Sequence, residues 1–99
     1  IRTYETSTRN TLDISAVPVL RSKTHLPIII DPSHASGVRD YIAPLSRAAV
    51  AVGVDGLEIE VHPNPATAMS DGSQSLNPED FKQLCDELKP YIQLSGRKF

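Results

Sequence analysis

Tryptophan is absent from this 99-residue chain, cysteine and methionine occur once each, and aromatic residues make up only 5% of it. A single cysteine cannot close an internal disulfide, so a disulfide scaffold is excluded and a reducing, cytoplasmic setting is expected. Neither sign of charge prevails: ten Lys and Arg against twelve Asp and Glu leave a net charge of −2. The basic residues are scattered, which is no nucleic-acid footprint, and no nucleic-acid partner is expected. No apolar run approaches the ~18 residues of a membrane span, and no basic leader precedes an apolar core, so no membrane partner is expected. An initiator methionine is missing ahead of "IRTYE", which opens in the pattern of a strand, so the chain is expected to be an excised piece of a longer one. What is present is a 39% apolar composition, that of a globular domain or part of one.

Periodicity divides the chain into alternating elements. "IRTYE" has the spacing of a strand with Arg2 and Tyr4 on one side and Thr3 and Glu5 on the other. After the polar connection "TSTRNTLD", Ser15 is a candidate N-cap for a helix to about Lys23, with Ala16, Val17 and Leu20 on one face and Pro18 in its first turn. The isoleucines of "PIIIDPSHASG" predict a fully buried strand over 28–30 ending in a polar turn. A helix is predicted over Arg39–Val52, where Ile42, Leu45, Ala49 and Val52 fall on one face and Gly53 suits the end. "LEIEV" alternates like a third strand. In "NPEDFKQLCDEL", Asn77 is a candidate N-cap and Pro78 takes the first helical position, with Phe81, Leu84, Cys85 and Leu88 as a core stripe.

Strand and helix alternating at this spacing indicate parallel βαβ units, hence the α/β class. The expected architecture is the C-terminal part, about three βα units, of a (β/α)8 barrel, with residues 1–99 forming one portion of a single domain. In such a barrel the chemistry sits at the strand exits. The polar residues there are Asp31 and His34, then Glu60, then Asp71 in the following loop. An imidazole and two carboxylates at neighbouring exits have the composition of a divalent-metal site. Each also has a plainer reading: His34 capping a helix or bonding a loop, Asp71 as the turn residue of "SDGSQ". Glu60 is harder to explain that way. If Leu57, Ile59 and Val61 face the helices, Glu58 and Glu60 face inward, where a carboxylate needs a cation. Glu60, nearer the exit, is the candidate ligand; Glu58 is expected to pair with a Lys or Arg elsewhere in the barrel.

The stretches "IRTYETSTRNTLD", "DPSHASG" and "EVHPNPATAMSDGSQSL", in this order and spacing, resemble the C-terminal region of the 3-deoxy-D-arabino-heptulosonate 7-phosphate synthases, of the microbial type I-beta branch. That family is related to the 3-deoxy-octulosonate 8-phosphate synthases. The resemblance implies a (β/α)8 enzyme, at the head of the shikimate route, that condenses phosphoenolpyruvate with erythrose 4-phosphate. It further implies a divalent metal, Mn, Fe, Co or Zn, held by Cys, His, Glu and Asp and acting as a Lewis acid on the aldehyde. Carried over by position, the metal ligands are His34, Glu60 and Asp71, with the cysteine ligand on an early strand outside these residues. Cys85, on the stripe of the last helix, does not replace it and is expected to be a buried structural residue.

On the same resemblance Asp31 is expected at the rim as a catalytic residue, orienting His34 or touching the aldose phosphate. Arg2 and Arg9 are expected to bind substrate phosphates, Arg2 alternatively pairing with Glu58 or Glu5. His25 is expected in a solvated turn and His62 behind the ligands. A homo-oligomer is expected, and the 99 residues alone are expected to be inactive. Two other readings remain: an octulosonate 8-phosphate synthase, which accepts another aldose, and a non-catalytic metal-binding or assembly module. The latter requires a stable fold from an open three-stranded sheet with two exposed edges, so further chain is expected to be needed.

Overall fold

The computed structural model describes all 99 residues as a mixed arrangement of helices and short parallel strands. In chain order it contains α1 (Ala16–Arg21), β1 (Ile29–Ile30), α2 (Pro32–Ser36), α3 (Arg39–Val52), β2 (Gly56–Leu57) and α4 (Pro78–Leu94). Single 3-10 turns lie at Pro65–Thr67 and Gly72–Gln74. β1 and β2 run parallel, with Ile29 opposite Gly56 and Ile30 opposite Leu57. No helix is long and apolar enough to cross a membrane.

The sheet has two strands where three were expected. Residues 1–5 form no strand and are exposed. A strand needs a ladder partner, and here only Ile1 finds one, exchanging both backbone hydrogen bonds with Thr11. The "LEIEV" segment pairs only at its ends. Glu58 N–H donates to the Ile30 carbonyl (2.8 Å), and Val61 forms an isolated parallel bridge with Leu76. β1 is not fully buried either: Ile28 and Ile30 are buried while Ile29 is 55% exposed, because the 99 residues cover only one face of this strand.

Helix ends follow their local chemistry. α3 begins at Arg39 and ends at Gly53, whose φ of 97° is the left-handed C-cap geometry that glycine adopts without strain. Asn77 caps α4 by accepting the Asp80 N–H (2.8 Å). α4 then runs six residues beyond the expected Leu88, through Pro90, to Leu94. α1 is weaker. Ser15 makes no side-chain cap bond, the helix stops at Arg21 rather than Lys23, and only Val17 of its expected face is buried, Leu20 being exposed.

Two small apolar clusters hold these elements together. Val17, Ile28, Ile30, Ala49 and Val54 join α1, β1 and the end of α3, while Ile42, Val50, Leu76, Leu84 and Leu88 join α3 to α4. Leu57 packs against both and so links them. Cys85 is half-buried rather than buried. It lines an apolar cavity of about 370 Å³ between β2 and α4, together with Val54, Leu57, Phe81 and Phe99.

Asp55 sits where three segments meet. Its Oδ2 accepts the Ile28 N–H (2.8 Å) and the Arg21 guanidinium (2.7 Å), and Oδ1 pairs with Arg97. The Ile28 amide above all, then Arg97 and Arg21, hold its carboxyl well below the usual aspartate range. A depressed folded-state pKa means stability that is present above the unfolded value of about 3.9 and lost as the pH falls through the folded one. Asp55→Asn is therefore expected to be less stable than the parent chain at neutral pH, with the gap closing in acid below about pH 4. Paired urea melts at neutral and acid pH check this; a gap independent of pH would show that the ionised form contributes nothing.

Candidate metal centre

The exit of β1 builds the centre. Asp31 is extended and caps α2, its Oδ1 accepting the His34 backbone N–H (2.9 Å) while Oδ2 accepts from His34 Nδ1 (2.7 Å). α2 is a five-residue helix where a simple turn was expected, and Pro32 at its first position fits that start. The capped geometry aims the ring. With its proton on Nδ1, the imidazole presents the Nε2 lone pair outward, the tautomer a metal ligand needs. Nε2 lies 3.4 Å from Glu60 Oε2 and 3.5 Å from Asp71 Oδ2.

Neighbouring chain fixes the other two groups. Ser33 Oγ accepts the Glu60 N–H (3.0 Å), tying β2's extension to α2. Asp71 has a φ of 56°, a left-handed conformation that aspartate tolerates better than most residues. Its carbonyl accepts the Ser75 hydroxyl (2.8 Å), and Arg39 braces the same loop through the carbonyls of Ser75 (2.8 Å) and Gly72 (3.1 Å). Residues 9 and 10 lie along α2: Arg9 N–H donates to Ser36 and Asn10 N–H to Ala35, while the Asn10 amide holds the His34 carbonyl (3.1 Å). Gly37, at φ 68°, lets this strap pass, since a Cβ there would lie 2.7 Å from Arg9 Cβ. Arg9 then reaches over to Asp71 Oδ1 (3.0 Å).

The charges are unbalanced. Burial disfavours an imidazolium at His34, but the hydrogen bond and charge of Asp31, with the charges of Glu60 and Asp71, prevail and raise its pKa above the ordinary value. Two carboxylates facing an unprotonated Nε2 repel it, and a proton or a metal ion relieves this. The geometry fits a metal. Nε2 and one oxygen each from Glu60 and Asp71 lie within 4.8 Å of one another. The 3.4 and 3.5 Å separations match the edge of a tetrahedron with arms of about 2.1 Å, which is about 3.4 Å.

Other expected site residues stand apart. Arg2 is exposed and makes no ion pair, with Glu58, Glu5 or any other residue. Glu58 is exposed and forms no ion pair within these 99 residues; the Lys or Arg expected elsewhere in the barrel would lie outside them. Glu58 does approach Asp31 and His34, close enough to share a cation with them. His62 forms no hydrogen bond to the three ligand candidates; its Nδ1 accepts the Asn64 N–H (2.8 Å) and closes its own loop. His25 is exposed. Asn10, Ser33 and Gln74 went unnoticed in the sequence, since their roles are long-range contacts with no local spacing to mark them.

Residues 1–94 match the model of the DAHP synthetase I family. The chain belongs to that family. It is 58% identical over 98 residues to the phospho-2-dehydro-3-deoxyheptonate aldolase of Thermotoga maritima, covering 99% of this chain and 29% of that protein. It is 38% identical to the 2-dehydro-3-deoxyphosphooctonate aldolase of Desulfotalea psychrophila over 88 residues, 78% of this chain and 31% of that one. Among solved structures, a truncated 3-deoxy-D-arabino-heptulosonate 7-phosphate synthase from Thermotoga maritima superposes with a TM-score of 0.96, again at 58% identity, over 99% of this chain and 37% of that one. The chain thus spans about a third of the length of the relatives it matches. Within this DAHP synthetase I chain, Cys85 is no part of the His34 grouping: it lines the apolar cavity with Phe81 and Leu88.

Proposed function

We propose that this chain is the C-terminal part, about three βα units, of a (β/α)8 synthase that condenses phosphoenolpyruvate with erythrose 4-phosphate at the head of the shikimate route. The observation that carries the reading is the convergence of His34 Nε2, Glu60 Oε2 and Asp71 Oδ2, in a chain 58% identical to a heptonate aldolase. His34, Glu60 and Asp71 would hold a divalent ion, Mn, Fe, Co or Zn, and the ion would supply Lewis acidity at the aldehyde oxygen of the aldose. Asp31 keeps the imidazole in the binding tautomer. Arg9, with Nε and NH2 still free to donate, offers an edge to a phosphate at the rim. Arg2 is assigned to phosphate binding on the resemblance alone. A cytoplasmic homo-oligomer is the assembly proposed.

The octulosonate aldolases share the same stretch at 38% identity, so the aldose is the point to test. Full-length protein carrying this chain is expected to consume phosphoenolpyruvate with erythrose 4-phosphate, to lose that activity to a chelator and to regain it with added divalent metal. Turnover only with arabinose 5-phosphate would move it to the octulosonate reaction. Activity indifferent to chelator would overturn the metal role.

A further inference from the structure

The geometry points to Gln74 as a positioning residue that acts on the metal centre through Arg9. The inference rests on the metal reading proposed above. Gln74 is 1% exposed, 65 residues from Arg9 in sequence, yet its Oε1 accepts from Arg9 NH1 at 2.9 Å. The same NH1 donates its other hydrogen to Asp71 Oδ1 at 3.0 Å. Arginine is donor-only, so the amide atom facing it must be the oxygen, and the orientation of Gln74 is determined by its partner. That leaves Nε2 turned into the interior, where it is buried without a hydrogen-bond partner.

A buried amide with one end unmet is unfavourable, and leucine or methionine would fill the same space without that cost. What the amide alone supplies is an acceptor for Arg9. The arginine needs one: its side chain is 54% exposed, and a single contact to Asp71 would leave a long, mobile side chain pinned at one end. With both NH1 hydrogens engaged the guanidinium is held, and Asp71 Oδ1 is held with it. Oδ2 is then left facing His34 Nε2 at 3.5 Å. Asp31 orients the histidine from behind in the same manner, so each of these two donors has its own outer support.

The test uses Co²⁺ alone as probe, reading both its dissociation constant and its visible absorption with the full-length protein that carries this chain. Gln74→Met is expected to weaken Co²⁺ binding roughly tenfold, the lower end for a group acting behind a ligand, and to change the absorption. Gln74→Glu, which keeps an acceptor, is expected to recover most of the affinity. In an Arg9→Met background the Gln74→Met change is expected to add nothing, because the route through Arg9 is already gone. Arg9→Met alone, at an exposed position, must reproduce the loss even where Gln74→Met fails to fold. An unchanged constant and spectrum in Gln74→Met or in Arg9→Met overturns the inference, as does a Gln74 effect that persists without Arg9. Unsubstituted full-length protein that takes up no Co²⁺ overturns the metal reading itself, and this inference falls with it.

Discussion

Replacing His34 with alanine is expected to lower divalent-metal affinity by more than about 100-fold, beyond the range seen when only an outer support of a ligand is removed. The substitution separates chemistry from architecture unusually well. Asp31 caps α2 through the backbone N–H of residue 34, which alanine retains, so the helix keeps its start. The Asn10 amide bonds the carbonyl of the same residue, also retained. What disappears is Nε2, the one nitrogen donor, leaving Glu60 and Asp71 as two facing carboxylates. Two carboxylates alone favour hard cations such as Mg²⁺ or Ca²⁺, so the loss is expected to be greatest for Zn²⁺ and Co²⁺. Titration of His34→Ala and parent chain with either ion, with far-UV circular dichroism alongside, measures it. Affinities within threefold of each other would remove His34 from the ligand set and leave its bond to Asp31 as a helix-capping detail.

The residues of the candidate centre were legible because each stands in a stretch with a strong local pattern, Asp31 and His34 after a strand, Glu60 in an alternating run and Asp71 in a marked turn. "IIID" ends a β-branched run, "LEIEV" alternates, and "SDG" marks a turn. Local rules also sufficed for α3 and α4, whose caps are built from adjacent residues: Gly53, Asn77 and Pro78. They failed where structure depends on distant partners. Residues 1–5 have the alternation of a strand but no neighbouring strand to receive it, so they stay irregular. Ile29 lies in an apolar run and is nonetheless exposed, because burial belongs to the layers packed on a sheet and not to the run itself. Glu58 comes to the side of Asp31 and His34 that its alternation with Glu60 indicates, yet it stays exposed, because these residues alone do not enclose an interior. Gln74 was invisible for a related reason: its meaning comes from Arg9, and nothing near it in sequence signals that contact.

The same dependence on a few long-range contacts makes the fold sensitive at its centre. Ile42 is 0% exposed and lies where α3 meets α4, packed with Val50, Leu76, Leu84 and Leu88. Truncating it to alanine removes its transfer free energy and leaves a void between two helices, an expected loss of about 2–5 kcal/mol. A domain of this size has only about 5–15 kcal/mol in total, so Ile42→Ala is expected to lose a large share of it. The consequence extends to the metal centre. Leu76 belongs to the same cluster, and its backbone accepts from His62 and donates to Glu60, so loosening α3 against α4 loosens the chain that carries Glu60. The control is Val19→Ala on exposed α1 surface, expected to change stability by less than about 0.5 kcal/mol. Urea melts of the three chains by circular dichroism decide the matter. A loss below about 1 kcal/mol at Ile42 would mean that the α3–α4 contact relaxes around the void and that the cluster of Val17, Ile28, Ile30, Ala49 and Val54 carries the fold.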